Sequence, residues 1–473
     1  MLTDEQCYRA ILSRDRRFDG IFFVGVSSTG IYCRTVCTVK TPRRENCTFY
    51  PSAAAAERAG YRPCLRCRPE LAPGQAKIDA VGRLAAAAAS YIEDGALTER
   101  SVSELANSLG VSDRHLRRVL QQEFGVSPIQ LAQTQRLLLA KRLLTDSNLS
   151  ITEIAFASGF SSVRRLNALF QKHYRLNPTA LRKVTNLPQD ILRCELAYRP
   201  PLDWQGLLSF LQGRASRGIE AIEGNCYQRT VRIDQYQGWI RVSPITKQDK
   251  LQVELSASLV AVILPVLTRV KALFDLAADP VLIAHHLRDL TVSYIGLRVP
   301  GAFDGFEVAV RAILGQQVSV KAATTLMGRL IETFGTPIQT PITGLTNLTP
   351  TPAQIAQLSP QDLTALGILL TRATSIIALA QAIVNKDLRL DTYSEIDRTI
   401  VRLKTLPGIG EWTAQYIAMR VLAYPDAFPH ADLGLRRALN VEKPAQVLQI
   451  AEPWRPWRAY AAMYLWKSLE QVG

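Results

Sequence analysis

Gly30-Ile31-Tyr32-Cys33-Arg34-Thr35-Val36-Cys37, followed by Arg62-Pro63-Cys64-Leu65-Arg66-Cys67, is the text on which the fold of this chain turns. One Cys-x3-Cys pair and one Cys-x2-Cys pair can each offer two sulfurs from a single turn. Two such turns can close a tetrahedral S4 cage suited to zinc. A disulfide framework belongs to oxidising compartments and short secreted chains. Met1 to Cys7 lack the basic and apolar regions of a signal peptide, so the expected location is the cytoplasm. Cys7, Cys47, Cys194 and Cys226 have no paired spacing and read as ordinary thiols. The spacing leaves two readings open. In one, zinc only staples a small domain. In the other, one zinc thiolate is also a nucleophile, because zinc keeps the sulfur deprotonated at neutral pH.

Around the cysteines lie short strand-like segments, a short Ala-rich helix (Ser52–Ala59) and six arginines: Arg34, Arg43, Arg44, Arg62, Arg66 and Arg68. Four thiolates on one zinc leave a double negative charge, which the arginines would offset while holding a phosphate backbone nearby. The whole chain of 473 residues has a net charge of +15, and residues 1–190 carry 27 Lys/Arg against 17 Asp/Glu. That asymmetry points to a polyanion partner. The text Thr29–Arg34, Arg44-Glu45-Asn46 and Tyr61–Cys67 resembles the N-terminal domain of the Ada methylphosphotriester sensor, over nearly all of residues 1–75. The resemblance implies zinc held by Cys33, Cys37, Cys64 and Cys67. It also implies a single-use methyl transfer from a DNA phosphotriester to Cys33. Loss of one negative charge on a DNA-facing surface would then tighten binding.

Two later segments rhyme. Ser103–Leu120 with Gly125-Val126-Ser127-Pro128, and Thr152–Asn167 with Leu176-Asn177-Pro178, each give a Ser/Thr-Glu helix start, a glycine turn and a serine cap. An apolar-periodic helix over about 129–144 spaces them, and a helical run from Lys77 to Tyr91 precedes them after the linker Pro69–Gly74. The second helices carry Arg114, His115, Arg117 and Arg118, and then Ser162, Arg164, Arg165 and Asn167, all residue types that read major grooves or phosphates. The repeat resembles the AraC-type DNA-binding domain, which implies promoter DNA and RNA polymerase as partners.

After a linker at Asn186–Arg193, three alternating segments (Tyr227–Val231, Gly238–Val242, Leu251–Leu255) predict an antiparallel sheet flanked by helices over Asp203–Ser216 and Leu264–Leu276. From Pro280 the text is helical, apart from a Thr/Pro-rich loop over 336–352. Leu406-Pro407-Gly408-Ile409-Gly410 before Glu411–Ile417 reads as a helix-hairpin-helix whose backbone N–H groups meet a phosphate. Asp432 is placed to cap a helix and to present a carboxylate to a sugar. Phe303–Ser319, Leu406–Tyr416, Asp432 and Trp454–Trp466 together resemble AlkA-type 3-methyladenine DNA glycosylases over about residues 195–473. That resemblance implies a base pocket of Phe210, Trp412, Tyr416 and Trp466, with Asp432 as the catalytic carboxylate. It further implies phosphate contacts from Gly408 and Gly410 and a monovalent cation at the hairpin.

The sequence departs from that pattern where Gln317 takes the place of a leucine wedge and Leu433 that of a pocket tyrosine. Trp412 stands where bifunctional relatives carry lysine, and no four-cysteine iron–sulfur signature is present.

The expected fold is α+β, multidomain and mainly helical. It comprises a zinc-bound domain (1–75), a double helix-turn-helix domain (76–185), a small antiparallel sheet domain (195–279) and an all-helical glycosylase domain (280–473). The expected protein is a nucleoid-associated monomer that senses methyl phosphotriesters, activates transcription and excises alkylated bases. The alternative is a transcription regulator with a structural zinc site and an inactive glycosylase-like half.

Overall fold

Four short strands build the cysteine module: β1 (Phe23–Val26), β2 (Ile31–Cys33), β3 (Cys47–Tyr50) and β4 (Arg62–Pro63), in the order β3-β1-β2-β4. They are seen in a computed structural model that describes residues 2–73, 83–182, 190–291 and 295–470. β2 and β4 run parallel, with Tyr32 opposite Pro63. This register brings the residues that follow, Cys33 and Cys64, side by side. Ser52 caps the Ala-rich helix Ala53–Arg58, accepting the Ala55 N–H at 3.0 Å.

Both helix-turn-helix units form. Their first helices, Val102–Ser108 and Ile151–Ala157, start in capping boxes made by Ser101 with Glu104 and Ser150 with Glu153. The caps therefore lie two residues before Ser103 and Thr152, the starts read from the sequence. Gly110 (φ +70°) and Gly159 (φ +75°) take the left-handed turn that a side chain would strain. Ser112 and Ser162 then cap the recognition helices Asp113–Phe124 and Val163–Tyr174. The spacer helix runs from Pro128 to Asp146. The helix expected from Lys77 is described from Arg83 to Glu93, and residues 77–82 lie outside the described residues, as do Gly74 and 186–189 of the expected linkers.

The second sheet has five antiparallel strands in the order β5-β9-β8-β7-β6: β5 (Ile191–Ala197), β6 (Glu220–Glu223), β7 (Cys226–Ile233), β8 (Tyr236–Pro244) and β9 (Lys250–Ser256). The sequence reading anticipated β7, β8 and β9. β5 begins inside the expected linker, and β6 closes the other edge. The loop over 336–352 also contains a two-stranded pairing, Thr336–Pro337 with Asn347–Leu348. Its Asn347 carbonyl accepts the Thr230 hydroxyl at 2.7 Å, tying it to β7. The helix-hairpin-helix forms from Ile396–Lys404 and Glu411–Arg420. No described helix is long and apolar enough to cross a membrane.

These bodies share their interiors. One apolar core runs from the spacer helix and the second helix-turn-helix unit through the five-stranded sheet into the C-terminal helices. The first unit has its own core, which includes Ala54 and Ala55 of the cysteine module. Polar links tie the cysteine module to the spacer helix and both to the start of the five-stranded sheet domain. Lys141 pairs with Glu70 at 2.5 Å and Arg68 with Asp146 at 2.6 Å. Arg142 donates to the Glu195 carbonyl, and Arg199 donates to the Asp19 carbonyl at 3.2 Å. Arg199 has a second fixed acceptor in the Ala277 carbonyl, which sets its direction as well as its burial.

Candidate metal centre and active site

The Sγ atoms of Cys33, Cys37, Cys64 and Cys67 lie within 4.8 Å of one another. Sulfurs that close cannot ionise independently. Their mutual hydrogen bonds push Cys33 and Cys67 up, hold Cys37 down to about 7 and drive Cys64 lower still. Four soft donors converging on one point fit a tetrahedral dication, and the cluster is a zinc site. The Arg34 backbone N–H donates to the Cys67 sulfur at 3.4 Å. Cys33 is acted on by the other three sulfurs and is only 4% exposed.

The arginines around the cluster divide by side. Arg43 and Arg66 are exposed. Arg34 is a correction to the sequence reading, which gave it to DNA. It is 5% exposed, ion-paired with buried Asp19, and donates to the Cys67 carbonyl at 3.1 Å. It clamps the second cysteine turn from inside. Arg68 likewise faces inward, between Glu70 and Asp146.

On the first recognition helix Arg114, Arg117 and Arg118 are exposed and His115 is half-buried; Arg117 pairs with Asp113, and Arg118 with His115 at 2.9 Å. On the second, Arg164, Arg165 and Asn167 are exposed, whereas the Ser162 hydroxyl is committed to the Arg165 N–H as the helix cap.

Of the residues read as a base pocket, Trp412, Tyr416 and Trp466 cluster beside Asp432, and Phe210 joins them through Arg420. Trp412 and Tyr416, one turn apart on the second hairpin helix, stack at 5.3 Å between centroids, and Trp466 stands 6.4 Å from Tyr416. Asp432 does cap the helix Leu433–Ala438. Its Oδ1 accepts the Leu435 N–H at 3.1 Å and the Trp466 indole N–H at 3.0 Å, while Oδ2 accepts the Trp412 indole N–H at 2.9 Å. Two tryptophans expected to face a base thus also orient the carboxylate. Both oxygens are filled by neutral donors, which fixes the rotamer without a competing cation.

Three arginines that the sequence reading missed sit behind the aromatics. Arg420 donates to the Tyr416 hydroxyl at 2.7 Å and lies 4.8 Å above the Phe210 ring, and Arg214 lies 3.6 Å above the same ring. Burial alone would raise the Tyr416 phenol. Arg420, Arg214 and Arg311 together hold it below its usual range. The signal for one of them was present, since Arg420 follows Tyr416 by four residues on one helix, whereas Arg214 lies in the turn just past the helix that carries Phe210.

Gln317 sits on the exposed turn between the helices Gly305–Leu314 and Val320–Phe334, with a left-handed φ of +54°. Exposed Val318 and Val320 flank it. The neighbouring Gln316 amide braces this turn against the hairpin, donating to the Gly408 carbonyl at 2.9 Å and the Thr413 hydroxyl at 3.0 Å. Gly408 needs its glycine: φ is +72°, and a Cβ there would lie 2.2 Å from Ser375 Oγ. Gly410 caps the second hairpin helix in extended backbone with open space beside it, so that first turn is accessible. Leu433 is 51% exposed, at the rim rather than inside.

Comparison with known proteins gives four family matches along the chain. They are the metal binding domain of Ada (residues 6–70), a helix-turn-helix domain (105–184), the AlkA N-terminal domain (193–304) and the HhH-GPD superfamily of base excision DNA repair proteins (310–444). The probable bifunctional transcriptional activator/DNA repair enzyme AlkA of Mycobacterium tuberculosis is 38% identical over 484 residues, covering 98% of this chain and 96% of the relative. The DNA-3-methyladenine glycosylase 2 of Escherichia coli is 36% identical over 271 residues, covering 57% of this chain and 95% of that protein. A solved 3-methyladenine DNA glycosylase from Archaeoglobus fulgidus shares the fold, with a TM-score of 0.51 at 20% identity over 59% of this chain and 99% of that one. With near-complete mutual coverage by the mycobacterial relative, the chain belongs to the family of bifunctional transcriptional activator/DNA repair enzymes that join an Ada metal-binding domain and a helix-turn-helix domain to an AlkA-type repair fold.

Proposed function

We propose that this chain both reports and repairs DNA alkylation. Cys33 accepts a methyl group from a DNA methylphosphotriester, and the methylated sensor drives sequence-specific transcription through the two helix-turn-helix units. The C-terminal half hydrolyses the N-glycosidic bond of alkylated bases such as 3-methyladenine. The observation that carries the reading is Asp432, held through both oxygens by Trp412 and Trp466 beside a helix-hairpin-helix.

An alkylated ring nitrogen makes the base a ready leaving group, so no general acid is required. The glycosidic bond breaks with its electron pair going to the base, which departs neutral; water supplies the hydroxyl at the sugar carbon, and its other proton is lost to solvent. What the chain provides is a preorganised carboxylate facing the oxocarbenium-like sugar and aromatic faces beside the extruded base. Trp412 in place of a lysine supports hydrolysis without a Schiff base.

At the other site, the Cys33 sulfur attacks the methyl carbon. The S–C bond forms as the C–O bond breaks, and the phosphodiester leaves as an anion. Zinc held by Cys33, Cys37, Cys64 and Cys67 supplies the positive charge that keeps the sulfurs deprotonated at neutral pH. The thioether carries one negative charge fewer near exposed Arg43 and Arg66, which lowers repulsion from phosphates.

The test of excision is release of 3-methyladenine and 7-methylguanine from alkylated duplex DNA. Wild type releases them and Asp432→Asn does not; equal rates would remove the enzymatic half. Mass spectrometry after incubation with methylphosphotriester DNA locates the adduct, and its absence from Cys33 would leave zinc as a staple only.

A further inference from the structure

The acceptor strand is anchored from a direction that neither proposed activity requires. Tyr32, beside Cys33 on β2, is fully buried and donates its hydroxyl to Glu57 at 3.1 Å. The same carboxyl oxygen accepts the hydroxyl of Tyr174 at 3.1 Å, and the other oxygen accepts that of Thr134 at 2.9 Å. Tyr174 is the last residue of the second recognition helix, and Thr134 lies on the spacer helix. One carboxyl therefore joins the methyl-acceptor strand to both elements that aim the second helix-turn-helix unit.

Glu57 is 6% exposed, and burial pushes its carboxyl up to about 7 despite three donors. Lys141, whose charge also reaches Glu57, is committed to Glu70. An apolar side chain here would leave three buried hydroxyls without an acceptor. What a buried carboxyl with three directional donors adds is a fixed relation between the groups that reach it.

The burial of Cys33 gives that relation something to transmit. A methyl group added to a sulfur that is 4% exposed enlarges a side chain inside a packed interior. Such interiors accommodate extra volume by moving backbone. β2 is the segment that carries it, and Tyr32, tied to Glu57, is the next residue.

We propose that Glu57 is a positioning residue that passes the displacement of β2 on methylation of Cys33 to the second helix-turn-helix unit, through Tyr32 on one side and Tyr174 and Thr134 on the other. The change of charge at the cluster then has a mechanical partner. This rests on Cys33 being the methyl acceptor.

The test uses the full chain, methylated with a duplex carrying a methylphosphotriester, with the adduct located by mass spectrometry. Hydrogen–deuterium exchange is followed before and after methylation. In wild type, amides of Val163–Tyr174 change their exchange rate at least threefold on methylation. In Glu57→Leu the change stays within residues 2–73, and Glu57→Gln, which keeps a carbonyl acceptor, restores it in part. Tyr174→Phe removes one hydroxyl while leaving the ring in the core, and it also loses the transmitted change, which guards against misfolding of the leucine variant. The proposal is overturned if adduct-bearing wild type shows no change over Val163–Tyr174. It is equally overturned if Glu57→Leu or Tyr174→Phe transmits the change undiminished. Absence of any adduct on Cys33 would instead remove the reading beneath it, and the proposal with it.

Discussion

The four-cysteine cluster and Asp432 are both anionic groups on a DNA-binding chain, and they are held by opposite means. At the cluster, four like groups crowd within 4.8 Å and need a cation to coexist. At Asp432, one carboxylate is filled by neutral N–H groups from two indoles and a helix start. The first site is charge-compensated and is stable only when loaded. The second is preorganised by the fold and needs nothing added. The two should therefore fail differently.

Zinc removal probes this contrast most severely. Structural zinc contributes on the order of 10 kcal/mol or more to small domains, so chelation should abolish protection from hydrogen exchange across residues 2–73 while base release stays within about twofold of the loaded chain. Loss of both together would show that the excision site also leans on the metal. Asp432→Asn is the reverse cut. Preorganised electrostatic groups are worth about 10²–10³ in rate, and a drop of that size in base release is expected, with methyl transfer to Cys33 unchanged. Trp466→Phe sharpens the second half, since it keeps a ring and removes one N–H. A hydrogen bond to a charged acceptor is worth about 1.5–3 kcal/mol, so base release should slow roughly tenfold or more. A change under twofold would mean that Trp466 serves only as a surface for the base. The smallest effect is at the rim of the sensor. Arg66→Ala should weaken DNA binding about equally across sequences and reduce its logarithmic salt dependence by about one, whereas Arg34→Met should lower the thermal midpoint of the cysteine module without that change in salt slope.

The last pair marks where sequence reading stopped. Cysteine spacing, glycine turns and the helix-hairpin-helix are local signals, and Cys33, Gly110, Gly159 and Gly408 stand where those signals put them. The direction a charged side chain faces is not local. Arg34 and Arg66 are alike in the text, yet one is sealed against Asp19 and the other is in solvent. Edge strand β5 was missed for a related reason: its partner β9 lies far along the chain, and β5 opens inside linker-like text. β6 is a different case, a local hairpin with β7 across Gly224-Asn225 whose signal was in the sequence and went unread. Asp432 was recognisable as a cap and a carboxylate. Its two indole donors come from 20 and 34 residues away, and only the folded chain unites them.

The apolar core shared by the second helix-turn-helix unit, the five-stranded sheet and the C-terminal helices has a consequence for how such proteins can be divided. A cut between the two halves would not part them, because Leu137, Leu166 and Phe170 remain inserted in the common interior. Produced separately, each half would expose that face to water and tend to aggregate. The order of the domains is therefore written into the interior as well, and separating the two halves would require new polar surfaces on both.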